Sequence, residues 1–414
     1  MTVDALQDFH FDPFEPAVTA DPLPFYRELR EHHPVYYHAG YDAWILSRFQ
    51  DVYDMLSVGE NILVPSEGAR PTKETLSNPN FGNPPVPSLN PLAMHHMQPS
   101  PVYETLRHAH GKPLRPGAVA KLADVIRGVA RERLNILLPR GRFDLTQNYA
   151  GIVAASVQCH LFRLPLSEAK YILDTINAGS ATHTEAGAPD PERYERLIEI
   201  VEPVVRGRRR EGWDGDWPLL DGMYDLEIDG RLLTDREIAM TVGIVMLGGT
   251  ETVPKVVAHG LWELQKRPDQ LAEVRADLAA NVPTAFREMV RLCAPAQWFV
   301  RTVQQDVHLA GVDMRRGQRI IYLVPSAARD EREYGADAEE FRWNRPITRW
   351  VNFGHGQHFC LGYHLALLEG SIMVEEFLRR VPDFSVIEEK AVRRPSSFQW
   401  GYNELPIRVP VRHE

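Results

Sequence analysis

Cys360 lies in the segment Phe353-Gly354-His355-Gly356-Gln357-His358-Phe359-Cys360-Leu361-Gly362, a glycine-rich loop with one thiol. The apolar run Leu365-Ala366-Leu367-Leu368 follows and predicts a helix. A cysteine near a helix N-terminus meets free backbone N–H groups and the positive end of the helix dipole, and both favour its thiolate. A free cysteine is otherwise a small buried hydrophobe, so its neighbours carry the signal. Gly354 and Gly362 let the backbone turn tightly and come close to a flat ligand. Earlier in the chain, Gly248-Gly249-Thr250-Glu251-Thr252 sets a hydroxyl beside a carboxylate, a pair able to pass protons. Glu288-Met289-Val290-Arg291 puts an acid and a guanidinium on one helix face at i, i+3.

Elements must hold these groups. Thr234-Asp235-Arg236-Glu237 is a capping box that opens the apolar run Ile238 to Leu247. Gly248 and Gly249 each cost a helix about 1 kcal/mol relative to Ala. The missing side chains leave room for a ligand against the helix. Pro254 should strain the hydrogen-bond ladder and widen the groove there. Asp21 to His32 predicts a short helix. Val35–Tyr37 and Ala43–Leu46 predict a hairpin, residues 66–101 a long loop, Val119 to Gln265 a mainly helical region, and residues 300–325 and 396–411 extended chain.

Composition narrows the class. The 414 residues are 44% hydrophobic and 25% charged, an ordinary globular balance for two lobes or one large cofactor-centred domain. A net charge of -10 argues against nucleic-acid binding. Three cysteines (Cys159, Cys293 and Cys360) are too few for a disulfide framework and fit a reducing, cytoplasmic setting. Met1 to Pro24 carries Asp4, Asp8, Asp12 and Glu15 and no apolar run, so it reads as neither a signal peptide nor a membrane anchor.

The Cys360 loop resembles the haem-binding loop of the cytochrome P450 family, Phe-Gly-x-Gly-x-His-x-Cys-x-Gly, with every fixed position present. The resemblance extends to Gly249-Thr250-Glu251-Thr252 and to Glu288-x-x-Arg291, in family order. It implies a mainly α fold with small β-sheets, the haem lying between a long distal helix and the proximal Cys loop. The expected organisation is one haem domain over residues 1–414, with a minor β-rich part near residues 35–47, 300–325 and 396–411. The expected cofactor is haem b, with O2 as co-substrate. Cys360 would be the thiolate ligand to iron, which favours O–O cleavage. Glu251 and Thr252 would deliver protons to the oxygen chemistry. Arg107, Arg301 and His358 would bind the haem propionates, with Phe353, Gly354, Gly362 and Gly249 lining the haem. Glu288, Arg291 and Arg345 would brace the proximal loop. Relatives often carry Asp-Pro-Pro-x-His-x-x-x-Arg before the first arginine. Here Pro99 and Tyr103 stand at the Asp and His positions, so Tyr103 could donate to a propionate only as a phenol.

By the same resemblance, the substrate pocket draws on Val245, Met246, Gly249, Ala296, Trp298, Phe299, Phe398 and Trp400, although Trp298 and Phe299 fit core packing equally well. These residues favour a small apolar or aromatic substrate, hydroxylated or oxidatively O-demethylated. The chain offers no further flavin or iron–sulfur segment. Electrons would therefore come from NAD(P)H through a separate ferredoxin and ferredoxin reductase, to a monomer. His108, His110, Lys112 and Arg115 could form a basic face for that partner, or simply be solvated. Met94-His95-His96-Met97 lacks a third ligand at helical spacing and reads as loop. A peroxide-driven haem enzyme is one alternative, against which Glu251–Thr252 argues. A non-catalytic haem sensor is the other.

Overall fold

The computed structural model describes residues 9–59, 61–66, 71–78, 100–180, 191–393 and 395–411. Most of the expected loop 66–101, with Met94 to Met97 and Pro99, lies outside them.

Helices dominate, and three of them meet in a triangle that positions everything else. The long helix, Asp235–Gln265, begins where the capping box predicts: Thr234 accepts from the Glu237 N–H while the Glu237 carboxylate accepts from the Thr234 N–H. It runs unbroken through Pro254, so no helix break marks the expected groove. The missing proline N–H leaves the Thr250 carbonyl without its usual donor four residues on. A carboxylate helix, Leu278–Cys293, is capped by the Asp277 side chain on the Ala280 N–H. A thiol helix, Tyr363–Arg380, starts three residues after Cys360.

Glycines set how closely these helices approach. A Cβ on Gly260 would lie 2.4 Å from Met289 Cγ, and one on Gly370 would lie 1.9 Å from Phe286 Cζ. Met289 and Phe286 of the carboxylate helix thus fill notches in its two partners. Close packing of this kind leaves no slack for a methylene.

The main sheet has strands Val35–His38, Ala43–Leu46, Arg319–Leu323, Trp298–Val303 and Leu63–Val64 in that spatial order. Its hairpin is antiparallel, Val35 facing Leu46, and Ala43–Leu46 then pairs in parallel with Arg319–Leu323. A small sheet joins Ser385–Val386, Pro406–Arg408 and Arg142–Asp144. The expected helix at residues 21–32 spans Leu23–His32. Side chains alternate across Trp298–Val303: Trp298 and Val300 enter a cluster with Phe11, Phe14, Tyr26 and Ile321, while Phe299 packs against the central core on the other face. Among the described residues, no helix is long and apolar enough to cross a membrane.

Candidate functional site

Gly354 and Gly356 adopt φ of 72° and 68°, the left-handed region that glycine enters at no steric cost. A Cβ on Gly356 would lie 2.5 Å from the Leu56 carbonyl oxygen, so this close approach also requires glycine. The turn lets the Cys360 N–H donate to the Phe353 carbonyl at 2.7 Å. The Phe353 ring is held edge-on by Trp350 and Tyr363, both at 5.0 Å between centroids. Cys360 keeps partial exposure, whereas Cys159 and Cys293 are buried.

Burial pushes the Cys360 thiol above its ordinary range; the Gly362 N–H and the Arg107 charge pull the other way without prevailing. This corrects the expectation that the helix start alone favours the thiolate. The N–H is there, but desolvation outweighs it. A bound metal cation would reverse the balance, since a coordinating thiol loses its proton outright.

Cations gather on the same loop. Arg107, on the helix Val102–Gly111, donates to the Phe359 carbonyl and to the Tyr103 hydroxyl at 3.2 Å. Arg301 and His358 line one small cavity with Met55, Leu56 and Gln357. Tyr103 does not have its hydroxyl proton to spare: it donates to the Gln357 carbonyl at 2.8 Å, and its ring stacks on His358 at 4.5 Å. The expected phenol donor to a propionate is thus a strut for His358 and Arg107. His110 is buried, so the exposed basic groups of that region are His108, Lys112 and Arg115.

Glu288 and Arg291 form a bidentate pair at 2.6 and 2.7 Å, both fully buried. Arg345 reaches Glu288 at 3.2 Å and Asp337 at 2.8 Å. Arg291 also donates to the carbonyls of Ala328 and Ala338. The structure therefore brings all three together, with the pair's remaining donors satisfied by backbone oxygens.

On the long helix, Gly248 is exposed and Thr252 partly so, although both sit mid-helix in the interior of the fold. Among the described residues, a Cβ on Gly248 or Gly362 would meet nothing within 4 Å. The Thr252 hydroxyl donates to the Gly248 carbonyl at 3.0 Å. Glu251 is buried, and Lys255 Nζ lies 3.4 Å from its Oε1. Gly249 corrects the ligand-room expectation: a Cβ there would lie 2.2 Å from Gln158 Nε2, so a side chain fills that gap. Met246 and Val245 belong to a buried cluster, Met246 wholly so.

The pocket candidates divide. Phe299 and Phe398 meet edge-to-face at 5.5 Å, and Ala296 bridges to Gln399. Trp298 is core: it is 1% exposed, packs on Phe14 and donates to the Ser397 carbonyl. Trp400 is turned away under the Arg393 guanidinium, 3.9 Å from its ring centre.

Three residues escaped the sequence reading: Lys255, Gln399 and Gln158. Lys255 donates to both Glu251 and Gln399. Its signal was a lysine four residues after Glu251 inside an apolar run. Gln158 is likewise a lone amide in the apolar helix Gly151–Leu161, and its Oε1 and Nε2 are buried with no hydrogen-bond partner among the described residues.

A helical fold in which a glycine-turned thiol loop and a cation cluster share space with a long interior helix defines a haem-thiolate class of protein. The chain belongs to the cytochrome P450 family: the Cytochrome P450 family model matches residues 195–409. It is similar to the Putative cytochrome P450 123 of Mycobacterium tuberculosis, with 29% identity over 97% of each chain. It is also similar to a Steroid C26-monooxygenase of Mycolicibacterium smegmatis, with 29% identity over 66% of this chain and 69% of that one. Among solved structures, CalO2 superposes with a TM-score of 0.80 at 26% identity, covering 97% of this chain and 99% of that one. The protein is therefore a cytochrome P450 monooxygenase, and its family implies a haem-iron cofactor. The residues fit one: a thiol near the Arg107 charge, a cavity on the same loop lined by Arg301 and His358, and glycines at Gly354 and Gly356 in positive φ.

Proposed function

We propose that residues 1–414 form one haem unit in which Cys360 ligates the iron, Arg107, Arg301 and His358 hold the propionates, and Phe353, Gly354 and Gly362 line the macrocycle. When bound, the haem supplies the activation of O2 and the insertion of one oxygen atom into a C–H bond. Arginine suits propionates because its planar fork matches a carboxylate. Glu251 accepts a proton at its carboxylate from solvent. The Thr252 hydroxyl, by leaving the Gly248 carbonyl, hands one on at Oγ1. Glu288, Arg291 and Arg345 keep the segment before the loop from shifting.

The observation that carries this reading is the partly exposed Cys360, whose backbone N–H donates to the Phe353 carbonyl, in a loop that Arg107 reaches at Phe359 and whose His358 shares a cavity with Arg301. The substrate we infer is a compact apolar molecule seated against Phe299, Phe398, Val245 and Ala296. Similar proteins bear the names Steroid C26-monooxygenase and Methyl-branched lipid omega-hydroxylase, which favours an aliphatic or steroidal skeleton hydroxylated at carbon. Electrons come from a separate ferredoxin and reductase, through the face bearing His108, Lys112 and Arg115.

Two measurements test this. Cys360→Ser should abolish the thiolate-type spectrum of the reduced carbon monoxide complex; an unchanged spectrum removes Cys360 as ligand. A ferric spin-state titration with fatty acids, sterols, terpenoids and methoxylated aromatics should show a low- to high-spin shift with the aliphatic or steroidal members. A shift confined to methoxylated aromatics would replace hydroxylation by O-demethylation.

A further inference from the structure

Lys255 is a lysine only 3% exposed, in the interior of the long helix. A buried ammonium persists only with anionic or strong acceptor partners. Its described partners join two different parts of the site. One is the Glu251 carboxylate, 3.4 Å away on the same helix. The other is the Gln399 side-chain oxygen, in the turn beside Phe398. The lysine stem reaches this junction by passing Gly401, where a Cβ would sit 3.6 Å from Lys255 Cβ and φ is 121°.

That turn is tied to the segment before the strand Trp298–Val303. Trp400 N–H donates to the Pro295 carbonyl at 2.6 Å, Gln297 N–H donates to the Phe398 carbonyl at 2.8 Å, and the Phe398 ring meets Phe299. Beyond it, Tyr402 continues along the long helix, edge-on to His259 at 5.0 Å and to Trp262 at 4.8 Å. The turn thus has the Phe398–Phe299 ring contact on one side and the Lys255 ammonium on the other.

Resting on the readings that Glu251 handles protons and that substrate sits against Phe398, we propose that Lys255 is a positioning residue that couples Glu251 to the turn 396–401, so that filling the substrate space re-seats the acid. A molecule pressing on Phe398 moves its neighbour Gln399. When Gln399 takes a larger share of the ammonium's three donors, the ammonium's hold on Glu251 loosens. When Gln399 withdraws, the ammonium holds Glu251 back. A lysine serving only to neutralise Glu251 would not need the turn.

The test is hydrogen exchange on the haem-loaded protein with and without 4-phenylimidazole, an azole whose nitrogen ligates iron and whose ring fills the adjoining space. In the native chain the probe should slow exchange in both residues 248–253 and residues 396–402. In Gln399→Leu and Lys255→Met the helix response should fall by about fivefold or more, while the turn response persists. Lys255→Arg should restore it. If Lys255→Met fails to fold, Gln399→Leu decides, because it leaves the ion pair with Glu251 in place. A helix response independent of these substitutions overturns the coupling. That failure stands apart from failure of the underlying reading, which would show as Glu251→Gln keeping the native yield of product per electron pair consumed.

Discussion

At the residue scale, what decides a group's role here is the balance between desolvation and its partners. Thr252 is the simplest case. Its hydroxyl donates to the Gly248 carbonyl, a bond it would have to leave in the proposed proton delivery. Thr252→Ala should fold normally, retain the thiolate spectrum and consume electrons, yet release most of them as peroxide; product formed per NADPH should drop at least about tenfold, within the usual contribution of a positioned proton donor. Glu369 is the opposite case, a carboxyl that burial keeps protonated. It is fully buried in the thiol helix, its Oε1 has no described partner, and desolvation raises its pKa well above the ordinary value. The unfolded chain loses that proton near the ordinary glutamate value of 4.5 and the folded chain does not, so the unfolded state binds fewer protons above it. Stability attributable to this group therefore falls as pH rises from there toward the folded pKa, by roughly 1.4 kcal/mol per unit. Glu369→Gln removes that slope: urea midpoints of the two proteins should converge near pH 5 and separate in favour of the variant at higher pH.

At the element scale, the site depends on three helices kept at fixed separation. Gly370→Ala puts a methyl where the Phe286 ring now lies. Phe286 is 1% exposed and has no free direction to yield, so the thiol and carboxylate helices must separate, at a cost of about 1–3 kcal/mol. Haem retention should weaken in parallel, read by the rate of haem transfer to an acceptor globin. Glu288→Ala acts on the same unit differently, leaving Arg291 and Arg345 in a dry site without their shared acid. A loss of about 3–5 kcal/mol in chemical denaturation is expected. Much of this frame was legible beforehand. The capping box fixed the start of the long helix at Thr234, and Glu288 and Arg291 announced one helix face by spacing alone. Trp298 was not legible, because alternation along a strand says which residues share a face but not that both faces are covered. Gln158 was missed for a related reason: helical periodicity predicts burial of a position, yet the notch at Gly249 that receives the amide is made by a different helix.

At the scale of the whole molecule, the three thiols report how the fold divides inside from site. Cys159 is buried in the cluster around the helix Gly151–Leu161, and burial pushes its thiol up to about 11. Cys293 ends the carboxylate helix in the central core, with its thiol raised well above the usual range. Neither is accessible, and neither ionises near neutrality. Cys360 shares a raised pKa but keeps partial exposure. Thiolate fraction and access together set the rate of attack on a disulfide reagent. The native haem-free chain should therefore react with about one equivalent of an aromatic disulfide, slowly and faster as pH rises, with the adduct mapping to Cys360. Reconstitution with haem should suppress that reaction, since the same sulfur cannot both ligate iron and attack. Unfolding in guanidinium should expose all three thiols. Fast modification of Cys159 or Cys293 in the native chain would contradict this division. Equal reactivity of Cys360 before and after reconstitution would mean that the haem sits elsewhere.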